Sequence, residues 1–444
     1  MGREIVIVGA GIAGLTAAFR LDKAGFDVQV IEASDRVGGR MSTDRRDGFL
    51  IDRGAQFLST GYAVIRQLVA ELNMEDQWTR APRWAGIVRD GRARRASAFF
   101  PWTVATGGLL HWGDTFKLGW KGRALSKSVR NLPLSDYSRW GALDNVSTAH
   151  WAVEKYGADV LEYIFEPMLG GLYFQSPEQT SAALAAQLGE FAARRTEVVA
   201  LCEGMGSLPE RLASRVPVRL NAPVQRIEPL GNRYRITARN SSLEADHVVI
   251  ATTASTARAL YPLWNDLELR LLATEYSSTI NIGFATSQHA STAKVPEDVY
   301  GILIPRRERT VISGIAIESR KCAAYVPRGD LLNVMLSGEA GARLVDAPEE
   351  NVLAEVIPEL NRYFPAIQSD IEFAHFCRWP EAEPLSHVGR SKDIAEYRDK
   401  ATSGKSGVLL AGDFMSFPTT EGAAESGEWA ASVFTGTTAA WAAG

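Results

Sequence analysis

Three glycines near the start of the chain have a spacing that suits the binding of a dinucleotide. Gly9, Gly11 and Gly14 form the pattern G-x-G-x-x-G within IVIVGAGIAG, directly after the apolar run Ile5–Val8. Gly9 allows a tight turn, Gly11 lets a phosphate approach the backbone, and Gly14 lets a helix pack closely on the strand. A helix that begins near Ile12 directs its free N–H groups and its dipole at the phosphates. The pattern alone leaves NAD, NADP, FAD and a purely structural turn open.

Glu32 and the turn that follows it narrow this choice. Glu32 ends the predicted second strand, Asp27–Ile31, and stands 18 residues after Gly14, close to the spacing of the carboxylate that binds ribose hydroxyls. A carboxylate at that place disfavours a 2′-phosphate, so NADP is the weakest candidate. A second glycine-rich turn, DRVGGR (35–40), then offers backbone N–H groups and Arg40 to a pyrophosphate. Most NAD-binding units lack this extension, which favours FAD.

The first forty residues resemble a known family. IVIVGAGIAGLTAAFRLDKAGFDVQVIEASDRVGGR is similar to the N-terminus of the FAD-dependent flavin amine oxidase superfamily, which includes monoamine oxidases, protoporphyrinogen oxidases and phytoene desaturase-like enzymes. The resemblance implies that Glu32 binds the adenosine ribose and that Arg40 lies near the phosphates. Many relatives carry a further arginine where this chain has Ser34, so one cationic contact is expected to be missing.

Segments far along the chain match further parts of the FAD site of this superfamily. The segment 48–58 (GFLIDRGAQFL) matches the one beneath the flavin, and Val224 matches the residue whose backbone meets the adenine. GVLLAGD (407–413) is a predicted buried strand, and by resemblance Asp413 hydrogen-bonds a ribityl or phosphate oxygen. EGAAESG (421–427) begins a helix whose N-terminal dipole stabilises the negative charge of a reduced flavin. The cofactor-binding residues predicted in this way are Gly9, Gly11, Ile12, Ala13, Gly14, Glu32, Ala33, Gly39, Arg40, Gly54, Ala55, Gln56, Val224, Ala251, Gly412, Asp413, Glu421, Gly422 and Ala423.

These pieces imply an α/β fold, α+β overall, with a Rossmann-like FAD-binding domain built from discontinuous segments. We assign residues 1–60, 201–260 and 396–444 to that domain. Residues 61–200 are predicted to form a mostly helical insertion of the substrate region, and residues 261–395 a strand-rich substrate domain with a β-sheet. The strands predicted in the latter are 277–286, 301–305, 311–317 and 331–336.

An arginine-rich stretch interrupts the helical insertion. Within RAPRWAGIVRDGRARR (80–95), the dipeptide Asp90-Gly91 between short apolar runs predicts a two-residue hairpin. The simplest interpretation leaves the arginines solvated. If they act, the candidate partner is a carboxylate-bearing substrate or an anionic lipid surface.

Three further segments resemble the protoporphyrinogen oxidase branch most closely. They are 151–184, which contains EPMLGGLY, together with 202–228 and the tripeptide RWP at 378–380. The resemblance implies an FAD-dependent oxidase or dehydrogenase that transfers a hydride from a largely apolar, cyclic organic substrate to flavin N5. Molecular oxygen or another electron acceptor then reoxidises the flavin. The residues predicted to line the substrate pocket are Gln56, Tyr173, Trp379 and Thr419.

Two departures weaken simple amine oxidation without excluding it. Amine oxidases carry a lysine near flavin N5 on the strand matching 279–284, which here reads TINIGF, and a second aromatic residue where this chain has Thr419. Two alternatives stay open: an amine or amino-acid oxidase that produces an imine and hydrogen peroxide, and a redox-neutral isomerase or dehydratase acting on an isoprenoid-like substrate. The six histidines are scattered, so no catalytic base is assigned.

Composition bounds the class of protein. The 444-residue chain has a net charge of −4, without the basic excess of nucleic-acid-binding proteins. Its cysteines, Cys202, Cys322 and Cys377, are widely spaced, which disfavours disulfides and a metal site and favours a cytoplasmic location. None stands where a covalent flavin bond forms, so FAD is expected to be noncovalent. No signal peptide or membrane-spanning run is recognised, while a peripheral membrane contact and the oligomeric state stay open.

Overall fold

The computed structural model describes residues 3–288, 295–403 and 407–436, so the tail of the third FAD-domain segment, 437–444, lies outside the described residues. The strands are β1 Glu4–Val8, β2 Asp27–Ile31, β3 Thr43–Arg46, β4 Phe49–Asp52, β5 Leu58–Ser59, β6 Trp78–Arg80, β7 Trp84–Arg89, β8 Arg92–Ala96, β9 Val198–Leu201, β10 Val218–Arg219, β11 Val224–Leu230, β12 Arg233–Ala238, β13 Ser241–Ala245, β14 His247–Ile250, β15 Thr279–Thr286, β16 Val299–Leu303, β17 Ile312–Ile317, β18 Asp330–Leu336, β19 Ile371–Trp379 and β20 Val408–Leu410. The helices are α1 Ile12–Lys23, α2 Ala63–Glu71, α3 Thr103–Thr106, α4 Trp112–Val129, α5 Thr148–Lys155, α6 Ala158–Val160, α7 Glu166–Leu172, α8 Ala182–Ala193, α9 Ser207–Ala213, α10 Ala254–Leu260, α11 Asp266–Leu272, α12 Glu318–Lys321, α13 Gly338–Leu344, α14 Glu349–Tyr363, α15 Ile367–Asp370, α16 Arg390–Ser403 and α17 Thr420–Thr435.

A parallel sheet of five strands, in the order β10-β2-β1-β14-β20, joins strands from residues 1–60, 201–260 and 396–444, the three segments that the sequence predicts to share one domain. The register pairs Val8 with Ile31 on one side and with Ile250 on the other, so the strands that carry the predicted cofactor residues end at one edge. The apolar runs of β1, β14 and β20 are buried because helices cover the sheet. The α/β fold expected from the sequence is confirmed.

Helix α17 crosses α1 at close range on this sheet. A Cβ on Gly427 of α17 would lie 2.1 Å from the carbonyl oxygen of Ala13 on α1, so only glycine permits the approach. The crossing places the middle of α17 against the start of α1. Ala13 and Ala423, near the starts of the two helices, both line one large cavity. No helix within the described residues is long and apolar enough to cross a membrane.

The second sheet has seven strands in the order β19-β15-β18-β17-β16-β7-β8. The central strand β15 is buried along its whole length, TINIGFAT, as expected for a strand covered on both faces. Helix α14 packs Val352, Val356 and Leu360 into the apolar core on one face. The other face carries Thr279 and Asn281 towards a large cavity.

The hairpin predicted at Asp90-Gly91 is confirmed, but its place in the fold differs from the expectation. Both turn residues have positive φ, 55° and 68°, as a tight two-residue turn requires. Strand β7 pairs in parallel with β16, with Ile87 opposite Leu303, so the hairpin extends the seven-stranded sheet. The region 61–200 is therefore mostly helical but contributes two strands to the seven-stranded sheet, through a long-range pairing that no local sequence pattern predicts.

The hairpin arginines are not simply solvated, which corrects the sequence interpretation. Arg89 donates to the carbonyl of Leu109 and lies 4.2 Å from the ring centre of Tyr163. Arg95 forms an ion pair with Asp298. These side chains tie the hairpin to neighbouring segments of the fold.

Helices α6 and α7 are joined by a π-helical turn, Leu161–Phe165, into one rod over residues 158–172. Pro167 explains the turn, because a proline inside a helix lacks the N–H that would bond four residues back. The widened turn places Ile164 and Phe165 on the wall of the cavity. Such turns are frequent at functional sites.

Candidate active site

The glycine loop between β1 and α1 has an open approach to its backbone. A Cβ on Gly9 (φ 104°) would lie 2.7 Å from the carbonyl oxygen of Ala251, and one on Gly14 would lie 2.1 Å from the carbonyl oxygen of Gly9. Gly11 is different, because a Cβ there would meet nothing within 4 Å. Gly11 also caps α1 without a side-chain hydrogen bond, so the N–H groups of the first turn are available to an anion.

Glu32 links this loop to the end of β2. Its Oε2 accepts the N–H of Ala10 at 2.7 Å, and its Oε1 accepts the N–H and the hydroxyl of Ser34, each at 2.8 Å. Glu32 also lines the cavity. The carboxylate therefore fixes the loop and presents itself beside the space in which a ribose would lie.

Arg40 and Asp413 form an ion pair although 373 residues separate them. Arg40 Nη1 lies 2.7 Å from Asp413 Oδ2, and Nη2 donates to Oδ1 at 3.0 Å. Nη1 also donates to the carbonyl of Ala382 at 2.6 Å. Burial lowers the pKa of Arg40, but the charges of Asp413 and Glu383 outweigh it and raise that pKa, so the guanidinium stays charged on the cavity wall.

The start of α17 presents its backbone to the cavity, and its acidic residue faces elsewhere. Thr419 Oγ1 accepts the N–H of Gly422 at 2.8 Å and caps the helix, while Ala423 lines the cavity. Glu421 is turned away and accepts the N–H groups of Val64 and Ile65, at 2.9 and 3.0 Å, at the start of α2. Burial raises the pKa of Glu421 to about 7, although these hydrogen bonds lower it.

The chain between Asp52 and Gln56 is held by side chains of the seven-stranded sheet. Asn281 Nδ2 donates to the carbonyls of Asp52 and Arg53, each at 3.2 Å, and Asn333 Nδ2 donates to Gln56 Oε1 at 2.8 Å. The indole of Trp379 donates to the carbonyl of Arg53 at 2.7 Å. This segment, which the sequence placed beneath the flavin, is thus fixed from one side by hydrogen bonds.

A buried lysine supports the same segment, and sequence reasoning missed it. Lys321 Nζ donates to the carbonyl of Gln56 at 2.9 Å and to Asp52 Oδ2 at 3.1 Å, and it lies 2.5 Å from Glu318 Oε2. Burial lowers the Lys321 pKa, but the charges of Glu318 and Asp52 outweigh it and raise that pKa. The hydroxyl of Tyr325 also donates to Asp52, at 2.9 Å. Lys321 follows strand β17, and no motif in the sequence around it predicts this role.

A cavity of about 1420 Å³ runs from the glycine loop to an apolar chamber between the helical rod 158–172 and the seven-stranded sheet. Most of the predicted site residues line it together. They are Gly9, Gly11, Ile12, Ala13, Glu32, Ala33, Gly39, Arg40, Gly54, Ala55, Gln56, Tyr173, Ala251, Trp379, Gly412, Asp413, Thr419 and Ala423. Gly14, Val224, Glu421 and Gly422 are outside that lining.

The chamber end of the cavity is lined mainly by apolar and aromatic side chains. Tyr62, Met168, Tyr173, Tyr300 and Met335 stand there among aliphatic residues. The described residues that line the cavity include no lysine, histidine or cysteine. On the strand where amine oxidases have their lysine, it is the carboxamide of Asn281 that meets the cavity.

Glu383 is an ionisable cavity residue that the sequence did not reveal. Burial raises its pKa, and the charge of Arg40 only partly lowers it again. In the sequence, Glu383 lies within EAEPL shortly after Trp379, where it looks like any acidic residue of a loop.

The features of this cavity fit FAD. An uncapped helix N-terminus and an open Gly11 suit a pyrophosphate, and Glu32 suits a ribose. Arg40 and Asp413 lie further along the same cavity, and the segment 52–56 forms its wall before the apolar chamber begins. An elongated dinucleotide can therefore span from the loop to the chamber.

Comparisons with known proteins agree with this geometry. A family model described as flavin containing amine oxidoreductase matches residues 12–433. Coproporphyrinogen III oxidase of Bacillus subtilis is 24% identical, over 92% of this chain and 93% of its own length. A crystal structure described as a protoporphyrinogen oxidase from Exiguobacterium has a TM-score of 0.78 at 21% identity, covering 98% of this chain and 99% of the other. Cyclohexylamine oxidase from Brevibacterium oxydans has a TM-score of 0.77 at 20% identity, with the same coverage.

Proposed function

The chain belongs to the flavin containing amine oxidoreductase family, and we propose that it oxidises a large, mostly apolar, cyclic substrate of the porphyrinogen type. It is an FAD-dependent oxidoreductase related to the porphyrinogen oxidases. The cavity carries the proposal. Its volume of about 1420 Å³ exceeds that of an ordinary small-molecule pocket, roughly 300–1,000 Å³. It has room for a dinucleotide at one end and a second, apolar molecule at the other.

FAD, when bound, supplies the acceptor for the hydride that leaves the substrate. The chain's own residues provide the support. We propose that the backbone around Gly11 binds the pyrophosphate and that Glu32 binds the adenosine ribose. Asn281 and Lys321 fix the segment 52–56 against the ring by hydrogen bonds to its carbonyls and to Asp52.

The substrate-facing side chains bind and shield. We propose that Tyr173 and Trp379 line the place where the substrate lies, with the rod 158–172 closing the far wall. Apolar walls exclude water and orient a C–H or N–H bond towards the flavin, which is what a hydride transfer needs from the protein. The side chain of Gln56 donates to the carbonyls of Asp52 and Gly54 and accepts from Asn333. We propose that Gln56 therefore shapes the wall of the substrate site and forms no hydrogen bond with the substrate.

Two arginines give the cavity a way to recognise carboxylates. Arg123 and Arg195 both line it. Guanidinium groups bind carboxylates with planar, charge-assisted hydrogen bonds. Bacterial relatives that match almost the whole chain are coproporphyrinogen III oxidases, whose substrate is a macrocycle with carboxylate side chains. We propose that these arginines contact the acidic side chains of such a macrocycle.

Simple amine oxidation is the weaker candidate. Asn281 stands on the strand where amine oxidases have a lysine, and Thr419 serves as a helix cap where they have a second aromatic residue. We propose further that FAD is noncovalent, because Cys202, Cys322 and Cys377 all lie outside the cavity lining. A cytoplasmic location and reoxidation by molecular oxygen or another acceptor complete the proposal.

An anaerobic reduction experiment tests this function. The purified holoprotein is mixed without oxygen with coproporphyrinogen III, protoporphyrinogen IX and a panel of amines and amino acids, and flavin absorbance is followed. We expect a porphyrinogen to bleach the flavin absorbance. The absorbance should return once an electron acceptor is added, with or without formation of hydrogen peroxide. Acid precipitation is expected to release the yellow cofactor into the supernatant.

The outcomes separate the alternatives. Bleaching by amines or amino acids alone would contradict the proposal. Conversion of an isoprenoid-like substrate without bleaching or peroxide would indicate redox-neutral chemistry. Arg195→Ala is expected to raise KM for a carboxylate-bearing porphyrinogen and to leave flavin content unchanged, with the exposed Arg215→Ala as the matched control.

A further inference from the structure

Six carboxylate side chains line the cavity, and the proposed reaction needs one group there that accepts a proton. A substrate that is oxidised at carbon and nitrogen loses a hydride from the carbon and a proton from the nitrogen. The hydride goes to the flavin, whereas the proton needs a basic atom within hydrogen-bond reach. The described residues that line the cavity include neither lysine nor histidine, so its carboxylates are the candidates.

Five of these six carboxylates already have partners within the chain. Each accepts a hydrogen bond or forms an ion pair: Glu32 with the N–H of Ala10, Glu190 with Arg194, Glu197 with Arg80 and Arg83, Glu381 with the hydroxyl of Ser255, and Asp413 with Arg40. The sixth is Glu383, whose carboxyl has no hydrogen bond or ion pair with any described residue. Its oxygens are therefore available to a ligand in the cavity.

The backbone of Glu383 is fixed, so its carboxyl has a defined place in the cavity. The N–H of Ser277 donates to the carbonyl of Glu383 at 2.9 Å, and the Ser277 hydroxyl donates to the carbonyl of Tyr173 at 3.0 Å. Next to Glu383 in the chain, the carbonyl of Ala382 accepts from Arg40 at 2.6 Å. Glu383 therefore stands between the Arg40–Asp413 pair and the apolar chamber in which Tyr173 lies.

Four ionisable groups of other segments face the carboxyl of Glu383: Arg40, Asp413, Tyr62 and Tyr173. Burial raises the pKa of Glu383, the charge of Arg40 lowers it in part, and the charge of Asp413 raises it further. Burial also raises the pKa of Tyr62 and of Tyr173, with a contribution from the charge of Glu383, so both phenols keep their protons. A carboxylate with a raised pKa is a stronger base than an exposed one.

We propose that Glu383 accepts the proton that leaves a substrate N–H group during the oxidation, an inference that rests on the proposed function. A carboxylate oxygen of Glu383 accepts the hydrogen bond of the N–H group and then its proton. The electron pair of the broken N–H bond enters the π system that forms as the hydride leaves the carbon. Water takes the proton from Glu383 once the product has left, which restores the carboxylate.

The pH dependence of flavin reduction tests this role. The holoprotein is mixed anaerobically with coproporphyrinogen III in a stopped-flow instrument, and the rate of bleaching is measured across pH. The wild-type rate should fall as pH is lowered, because a protonated carboxyl accepts no proton. The midpoint of that fall should lie above the usual glutamate pKa of about 4.3.

Variants of Glu383 assign that fall to one residue. Glu383→Gln should lower the rate at high pH about 100-fold or more and abolish the fall at low pH. Glu383→Asp keeps a base but retracts it, so the fall should remain, with a smaller loss of rate. Glu275→Gln, which changes an exposed carboxylate on the segment before Ser277, should keep the wild-type rate and pH profile.

Infrared difference spectra report the proton on Glu383 without any turnover. Spectra of the oxidised holoprotein are recorded at several pH values, and those of Glu383→Gln are subtracted from those of the wild type. The carbonyl band of a protonated carboxyl should give way to carboxylate bands at a pH above that of an exposed glutamate. An unchanged melting temperature and the flavin content after gel filtration show that the variants are folded and loaded.

Three results would overturn the role of Glu383: a Glu383→Gln variant that is reduced as fast as the wild type, a fall at low pH that this variant retains, or a variant that loses FAD, which would make Glu383 a cofactor contact. Each of these leaves the proposed function standing if a porphyrinogen bleaches the wild type. A wild-type holoprotein that no porphyrinogen bleaches would contradict the proposed function, and the role of Glu383 would fall with it.

Discussion

Glu421 carries a pH dependence that is measurable. Its buried carboxyl has a pKa raised to about 7, against about 4.3 in an unfolded chain. The folded state therefore holds the extra proton between these values, and the stability it contributes is present at low pH and lost as pH rises towards about 7. The loss amounts to about 3 kcal/mol over that window. Glu421→Gln removes the titrating group and with it this pH dependence. In denaturant titrations the wild type should therefore lose stability relative to the variant between pH 5 and pH 8.

The pH-independent part of the same substitution has the opposite sign. Gln offers one oxygen to the N–H groups of Val64 and Ile65 where the carboxyl offers two, which costs about 1 kcal/mol at every pH. The variant should therefore be about as stable as the wild type at pH 5 and should become the more stable protein, by about 2 kcal/mol, at pH 8. Glu425 and Glu318 also have a raised pKa. Both residues are present in the wild type and in the variant, so their contributions cancel in the stability difference between the two proteins. A stability difference that stays constant from pH 5 to pH 8 would refute the assignment, and Glu396→Gln, at a half-exposed position on α16, serves as control.

In the loop between β1 and α1, a substitution can change FAD binding without changing the stability of the fold. Gly11→Ala adds a methyl group that meets no protein atom within 4 Å, at a place that faces the cavity. The apoprotein should keep its stability within about 1 kcal/mol. FAD affinity should fall about tenfold or more, since the methyl group occupies the approach of the phosphate. Flavin fluorescence titration of the apoprotein measures the affinity.

Two other glycines calibrate this prediction. Gly113→Ala also meets nothing within 4 Å but lies on the exposed start of α4, so both stability and FAD affinity should be unchanged. Gly14→Ala would place Cβ 2.1 Å from a backbone oxygen and should reduce folding itself. An unchanged FAD affinity in Gly11→Ala would argue against a phosphate at that position.

The same element explains how much the sequence could predict. β1, α1 and β2 follow one another within thirty residues, and glycine spacing, apolar runs and Glu32 predict them because the interactions are local. Asp90-Gly91 predicted the hairpin of β7 and β8 but not its place in the seven-stranded sheet, because the partner strand β16 is more than two hundred residues away. Lys321, Asn333 and Glu383 reach the site through side-chain contacts between distant segments, and no local spacing encodes those. The family resemblance located the backbone of the site but not these supports.

At the scale of the whole molecule, the proposed FAD site joins pieces that are far apart in the chain. Glu32 and Arg40 come from the first segment, and Asp413 follows β20, which lies three strands away from β2 in the same parallel sheet. A ligand that contacts all of them stabilises the folded state against a chain that must otherwise hold these segments together through packing alone. The protein is therefore expected to depend on its cofactor for part of its thermal stability.

Removal of FAD tests this dependence, and Arg40 reports on its origin. At a free FAD concentration of 100 times Kd, binding should stabilise the wild type by about 2.7 kcal/mol, seen as a melting temperature that rises with FAD concentration. Arg40→Met should lower the melting temperature of the apoprotein, because Asp413 is left buried without its cation. It should also need a higher FAD concentration for the same gain, because the positive charge beside the phosphates is lost. Arg343→Met breaks an exposed pair with Glu355 and should do neither. If Arg40→Met gains as much from FAD as the wild type, then Arg40 serves to hold Asp413 and not the phosphates, and the helix N-terminus at Gly11 carries their charge alone.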